Sequence, residues 1–564
     1  MSPLADRRAW FVVLAVSAVL IFPALGSLPF IDRDEGEYAT VAREMIERDD
    51  YVIPHVNGRA YYEKPALFFW LTALSFEAFG RNERAGRLPS ALAGFALVLV
   101  MGWFGRRRGG DRLGLLAALF TGTSFLVVLL ARAAILDMLL TLWTTLTLVL
   151  FYEGYRAPEG SGAWYFRGAW AAMGLAFLTK GPVGAAVPLL AVFPLVVLDR
   201  TVWSTVKRSE PYFGLPVFLI VAGPWYVLAL LREGSRFWEG FFISQNVTRY
   251  TEVLLGHGAP LWFYLPVLVL MLWPWFFFAL PPLWRGATGT RRAGRAGDDG
   301  AALDFFLAVW FLTGLVFFSL AATKQPNYIL PSAPPLILLA ARWWRSLEDR
   351  PSAERPRALL GLTGLIGLGL AVLMMASARL LPEAVAMAGA RIVPDASEYA
   401  LPADPLVLGR AAAVAGAALI AAVLAALAAG LTGRRRTALA ALVLAAALWV
   451  GGTWHAVFPP VMDYLQTPAR DLAFRVDREM GPADRLASFG LYKPTLWFYT
   501  GRRIERVRTT EPDRLRELMA AENPVFLLSR ARLLPVLEKT PGFRRLEVRG
   551  GYVLGDNRGA GGGR

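Results

Sequence analysis

Apolar runs of roughly 20 residues recur along the chain, separated by short basic or glycine- and proline-rich connections. The first covers 10–31. Others follow at 85–105, 113–131, 134–152, 164–179, 181–198, 212–231, 260–283, 303–322, 326–341, 358–377, 411–430 and 437–457. A run of this length lets a helix cross about 30 Å of hydrocarbon, so the pattern predicts thirteen membrane spans. The runs 164–179, 181–198 and 326–341 are the shortest or are joined by tight turns. The first run exceeds the apolar region of a secretory leader and precedes many more, which reads as a retained span.

Two regions break this pattern. The first loop, 32–84, opens on Asp32, Asp34, Glu35 and Glu37. Tyr38, Val41, Ala42, Met45 and Ile46 then repeat at three and four, which predicts a short amphipathic helix lying on the membrane domain. The 66–79 stretch is apolar but too short for a comfortable span, and its aromatic residues suit an interfacial or re-entrant helix. The second region, 459–564, alternates short apolar stretches at 486–489, 494–499 and 524–528 with helix-like 468–480 and 511–520, which predicts a small α/β domain outside the membrane. The expected division is therefore a membrane domain over 1–458, including the long first loop, and a soluble domain over 459–564.

Composition sharpens this picture. The chain has 564 residues, 55% hydrophobic and 18% charged, and its mean hydropathy of +0.43 points towards lipid. A net charge of +15 suggests nucleic acid at first sight, but the arginines cluster in alternate connections, at 106–108, 291–295 and 434–436 for example. That asymmetry is the positive-inside signal. It places the N-terminus in the cytoplasm and, with thirteen spans, loop 32–84 and the C-terminal domain outside; no nucleic-acid partner is expected. The absence of cysteine excludes disulfides, iron–sulfur clusters and thiolate zinc sites. No phosphate-binding loop, dinucleotide fingerprint or haem-attachment motif occurs, so ATP-driven transport lacks its engine.

Charges at the outer ends of spans are costly and therefore selective. Asp34 opens the first-loop helix, where capping alone accounts for a carboxylate as readily as a reactive role does. Glu63 and Lys64 precede the 66–79 helix. Asp137, Lys180, Arg249, His257, Lys324 and Tyr328 all fall in connections on the same predicted side. A structural ion-pair network is one explanation; cations gathered with a few carboxylates also suit a phosphate-bearing substrate. His55 is equally a turn residue or part of a site rim, and His455 reads as structural. A secondary transporter is the rival class, although no internal repeat of the kind such folds show is evident.

The segments RDEGEYATVAREM (33–45), VIPHVNGRAYYEKPALFFWL (52–71), ARAAILDM (131–138), FLTKGP (177–182) and TKQPNYILP (323–331) resemble those of polytopic glycosyltransferases that use polyprenyl-phosphate sugars. The resemblance is to the bacterial lipid A aminoarabinose transferases in particular and, more distantly, to the protein O-mannosyltransferases. It implies a GT-C type fold in the bacterial inner membrane with a periplasmic C-terminal domain. It further implies an inverting transfer of a sugar such as 4-amino-4-deoxy-L-arabinose from an undecaprenyl-type lipid phosphate to lipid A, another glycan or a protein, by a monomeric enzyme among membrane lipids. By the same resemblance Asp34 is the catalytic aspartate with Glu35 beside it, and Asp137 is a second functional aspartate. Lys64, Arg249, Lys324 and Tyr328 contact the donor phosphate, and His55, Tyr62 and Lys180 form the rim. Glu63 and His257 hold a divalent metal, zinc, magnesium or manganese. Two protein ligands are sparse for such a centre, so substrate or water would have to complete it.

Overall fold

The structure, a computed structural model, describes residues 3–198, 202–252, 258–289, 299–349, 357–390, 400–402 and 404–558. All thirteen predicted runs fall largely on helix, but not all as single rods. Helix α1 (Pro3–Ile21) ends well before residue 31, because Pro23, Gly26 and Pro29 stop it. The runs 85–105 and 113–131 form α4 (Glu83–Thr123), interrupted at Gly109 and at Gly110, whose φ of +76° only glycine adopts without strain. The run 260–283 splits at Pro274 into helices Tyr264–Met271 and Phe276–Thr288. Among the described residues, six helices are long and apolar enough to cross a membrane on length and composition alone.

Between α1 and α4 lie α2 (Asp34–Arg48), a hairpin of β1 (His55–Val56) and β2 (Arg59–Ala60), and α3 (Leu67–Phe79). The hairpin turns on Asn57 (φ +50°) and Gly58 (φ +76°), the left-handed pair that a two-residue hairpin turn requires. After α5 (Phe125–Ala131) come α6 (Asp137–Arg156), α7 (Ala163–Lys180) and α8 (Pro182–Leu198).

The C-terminal unit is a five-stranded mixed sheet of β3 (Arg485–Phe489), β4 (Ile504–Val507), β5 (Val525–Arg530), β6 (Arg544–Arg549) and β7 (Tyr552–Asp556), in the order β4-β3-β5-β7-β6. β3 runs parallel to β4 and β5, whereas β7 is antiparallel to β5 and β6. Helices Thr467–Glu479 and Pro512–Met519 occur where the pattern expects them. The apolar 494–499 stretch is a helix, Pro494–Thr500. Proline at its first position favours that start, and Gly501 at φ +63° ends it.

The largest departure from the sequence reading concerns α2. Rather than lying on the surface, it is buried continuously from Glu35 to Met45. Its apolar face packs Tyr38 edge-on against Phe68 and Phe69 of α3. Its polar face meets the C-terminal unit: Arg43 donates to the carbonyls of Trp497 and Phe498 at 2.5 and 2.9 Å. A Cβ at Gly36 would lie 2.6 Å from the Thr495 backbone nitrogen, so only glycine allows that approach. The polar side of this helix is thus met by a domain more than 400 residues further along the chain.

Candidate active site

Asp34 is the first residue of α2 and is half-buried. Asp137 is the first residue of α6 and is buried. Both carboxylates therefore sit at helix N-termini, where the exposed backbone N–H groups favour negative charge. Lys180 ends α7, the complementary position for a cation. Its Nζ lies 2.6 Å from Asp137 Oδ1 and 4.5 Å from the centre of the Tyr328 ring. Asn327 donates to the other Asp137 oxygen at 3.1 Å. The buried hydroxyl of Tyr38 is held well above its ordinary pKa, first by burial and then by the charges of Asp34, Asp137, Glu37 and Glu63.

Lys324 is buried, and its ammonium donates to the Ala321 carbonyl at 2.7 Å. Among the described residues it makes no ion pair. A buried ammonium without a counter-charge is costly, and a phosphate would supply one. The Thr323 hydroxyl donates to the Glu252 carbonyl at 3.0 Å, and Gly258 bridges Thr323, so both flanks of the 253–257 segment meet the residue just before Lys324. His257 itself lies outside the described residues. Arg249 begins the short helix Arg249–Thr251, and the neighbouring Tyr250 carbonyl accepts from Ala322 N–H at 2.9 Å.

Lys64 Nζ lies 3.1 Å from the Glu63 carbonyl and 4.0 Å from its carboxylate, which is 41% exposed. Among the described residues no three His, Asp or Glu side chains converge as metal ligands, so Glu63 alone does not make a centre. Tyr62 donates to Glu233 at 2.5 Å; its own pKa is pushed up to about 12, by burial and then by that carboxylate. His55 Nδ1 lies 2.8 Å from the Ile53 carbonyl.

Glu35 is buried, Arg87 grips it through two contacts of 2.8 Å, and it also accepts from Ile31 N–H (2.8 Å) and Ala134 N–H (2.6 Å). All four acceptor positions are occupied, so Glu35 ties the loop to α4 and to the turn before α6. Sequence reasoning missed four residues. Asp32 accepts from Lys493 Nζ at 2.7 Å, with both side chains fully buried, and also from the Thr495 N–H and hydroxyl at 2.8 Å each. Lys493 stays charged because Asp32 outweighs the strong opposing effect of burial. Glu37 is buried, accepts from Tyr492 at 3.3 Å, and is pushed up to about 8 by burial, then by Glu63 and Asp34. Asn327 orients Asp137. Only the acidic run 32–37 offered a signal for any of these.

Carboxylates open two helices of a polytopic bundle, and an α/β unit clamps over the first loop; the fold is that of a membrane glycosyltransferase of the GT-C type. Its structure superposes on ArnT from Cupriavidus metallidurans bound to undecaprenyl phosphate with a TM-score of 0.79 and 24% identity, covering 98% of this chain and 99% of that one. The dolichyl-phosphate-mannose-protein mannosyltransferase family matches residues 63–227. The undecaprenyl phosphate-α-4-amino-4-deoxy-L-arabinose arabinosyl transferase of Edwardsiella ictaluri is 36% identical over 368 residues, 64% of this chain and 63% of its own length. That of Serratia proteamaculans is 33% identical over 398 residues, 67% of each chain. This chain belongs to the arabinosyl transferase family those two represent.

Proposed function

We propose that the chain catalyses inverting transfer of a sugar, 4-amino-4-deoxy-L-arabinose foremost, from a polyprenyl phosphate to an extracytoplasmic acceptor at the bacterial inner membrane. Lipid A or a related glycolipid leads the acceptors; proteins and other envelope glycans come second. The observation that carries this reading is that carboxylates open two helices, at Asp34 and Asp137, and that a buried Lys324, three residues before the Asn327 that holds Asp137, lacks a carboxylate partner among the described residues.

Lys324, with Lys64, Arg249 and Tyr328, is assigned to the donor phosphate. The acceptor oxygen bonds to the anomeric carbon from the face opposite that phosphate. The carbon–oxygen bond to phosphate breaks, and its electron pair leaves on the polyprenyl phosphate, where the cations offset the developing charge. For a hydroxyl acceptor, Asp34 takes the proton. For a phosphate acceptor no proton moves, and the Asp34 carboxylate opposes positive charge gathering on the sugar. Asp137, already neutralised by Lys180, orients the site. Glu63 and His257 remain the proposed metal pair, and no step above depends on an ion there. Equal metal content in purified wild-type and Glu63→Gln protein would remove that assignment.

The test of the main reading is transfer of labelled sugar from polyprenyl-phosphate donor to lipid A by the purified protein. Product carrying the label supports it. Labelled envelope protein without labelled lipid would replace the leading acceptor, and absence of transfer to any acceptor would sink the transferase reading.

A further inference from the structure

The residues around Asp34 find their partners in one short segment of the C-terminal unit. Two positions before it, the Asp32 carboxylate accepts from Lys493 Nζ at 2.7 Å and from the N–H and hydroxyl of Thr495 at 2.8 Å each. The Arg33 guanidinium lies over the Tyr492 ring, 4.9 Å from its centre. Two positions after Asp34, Gly36 faces Thr495 so closely that a Cβ would stand 2.6 Å from its backbone nitrogen. Glu37 then accepts from the Tyr492 hydroxyl at 3.3 Å. Glu35 alone among these neighbours is held from the membrane domain, by Arg87.

The 492–495 segment is itself anchored. It leaves β3 and enters the helix Pro494–Thr500. The Lys493 ammonium also donates to Gln466 Oε1 at 2.7 Å and lies 5.3 Å from the centre of the Tyr552 ring on β7. Tyr552 in turn accepts from Ala400 N–H at 3.1 Å and donates to the Leu465 carbonyl at 3.2 Å. Lys493 and Asp32 are fully buried. Two buried charges repay their desolvation only in a close, well-bonded geometry, so the pair admits one arrangement of the turn that precedes α2.

We infer that Lys493 and Thr495 are positioning residues for Asp34, through which the C-terminal unit sets the direction of the catalytic carboxylate. The inference rests on the catalytic reading of Asp34 above and extends the catalytic unit beyond the membrane domain. Asp34 is half-buried at the first position of α2, so its side chain follows the backbone of the 32–37 turn, and that turn is fixed from residues 492–495. Misplacing a reacting group by about 1 Å costs on the order of 100-fold in rate. The cations assigned to the donor phosphate, Lys64, Arg249 and Lys324, belong to other segments. Loosening the turn should therefore reach turnover and spare donor binding.

The test uses full-length Lys493→Met, Thr495→Val and Thr495→Ser proteins, each also made in the Asp34→Asn background. Undecaprenyl phosphate binding counts folded sites and reads donor affinity. Transfer to lipid A, measured below the unfolding transition of every variant, gives kcat per site. Lys493→Met is expected to lower kcat per site about 10- to 100-fold, and Thr495→Val by a smaller factor, with donor affinity held. Thr495→Ser, which keeps the hydroxyl, should stay close to wild type. In Asp34→Asn protein the same substitutions should cost almost nothing more, because losses at residues that act through one group do not add. Arg516→Gln, exposed on the same unit, should match wild type. Losses that multiply in the Asp34→Asn background, unchanged kcat per site in Lys493→Met and Thr495→Val, or a Thr495→Ser variant no better than Thr495→Val would each overturn the inference. Should Lys493→Met not fold, the two Thr495 variants decide alone. Near-normal turnover in Asp34→Asn itself would sink the catalytic reading of Asp34, a result obtained independently of the C-terminal variants.

Discussion

At the scale of single residues, Asp34 and Glu35 show how neighbours on one helix turn divide the work. Glu35 has four donors and no spare acceptor, whereas Asp34 stands half-buried at the helix N-terminus. Replacing Asp34 with Asn keeps size and hydrogen-bonding capacity but removes charge and basicity. Turnover should fall roughly 100-fold or more, with donor affinity changed far less. Near-normal turnover in correctly inserted protein would remove Asp34 from the catalytic residues. Glu37 carries a second prediction. Its carboxyl is pushed up to about 8 from an ordinary 4.5, so the folded protein holds that proton more tightly than the unfolded chain. Its contribution to stability is therefore intact in acid and declines as pH rises from about 4.5 to about 8. Glu37→Gln should flatten that decline. Thermal unfolding at pH 5 and pH 9 measures it, and parallel losses in wild type and variant would count against the argument.

Among the elements, α2 separates what the sequence discloses from what it hides. Its existence, its start at Asp34 and its apolar stripe follow from three-and-four spacing. Its burial does not, because Arg43, Glu37 and Gly36 find their partners in the helix Pro494–Thr500 and the residues just before it, and hydrophobic periodicity carries no information about a polar face met by a distant domain. The same limit explains 494–499, whose length suits a strand or a single buried helical turn. The outer-boundary positions of Asp137, Lys180, Lys324 and Tyr328 were legible, since charges beside membrane spans stand out; the Asn327 contact was not, since an amide in a proline-rich turn has a dozen local explanations. The Asp32–Lys493 pair supplies the test at this scale. Lys493→Met leaves a buried carboxylate unpaired and should cost about 3–5 kcal/mol, read as lowered thermal stability. Adding Asp32→Asn to that variant should recover much of the loss. Additive losses in the double variant would show that the two charges do not act as a pair.

Across the whole molecule, the thirteen apolar runs and the placement of arginine predict a cytoplasmic N-terminus and an external C-terminal unit. Reporter fusions in the 286–300 loop and after residue 520 should report opposite compartments; finding both on one side would break the span count. The pattern of runs located the helices well, but proline and glycine set where each one bends, as at Pro274 and Gly110. The buried contact between Asp32 and Lys493 joins residues 461 apart in sequence. At a synthesis rate of about 5–20 residues per second, the ribosome needs roughly 25–90 s to travel between them. Throughout that interval the newly inserted chain exposes a first loop with no lid, its aspartate unpaired and its glycine contact empty. The last hundred or so residues thus act as a timer on activity: a nascent chain is anchored in the membrane long before it is able to work, and one that stops short at residue 458 should insert, stay inactive and lose its first loop to external protease.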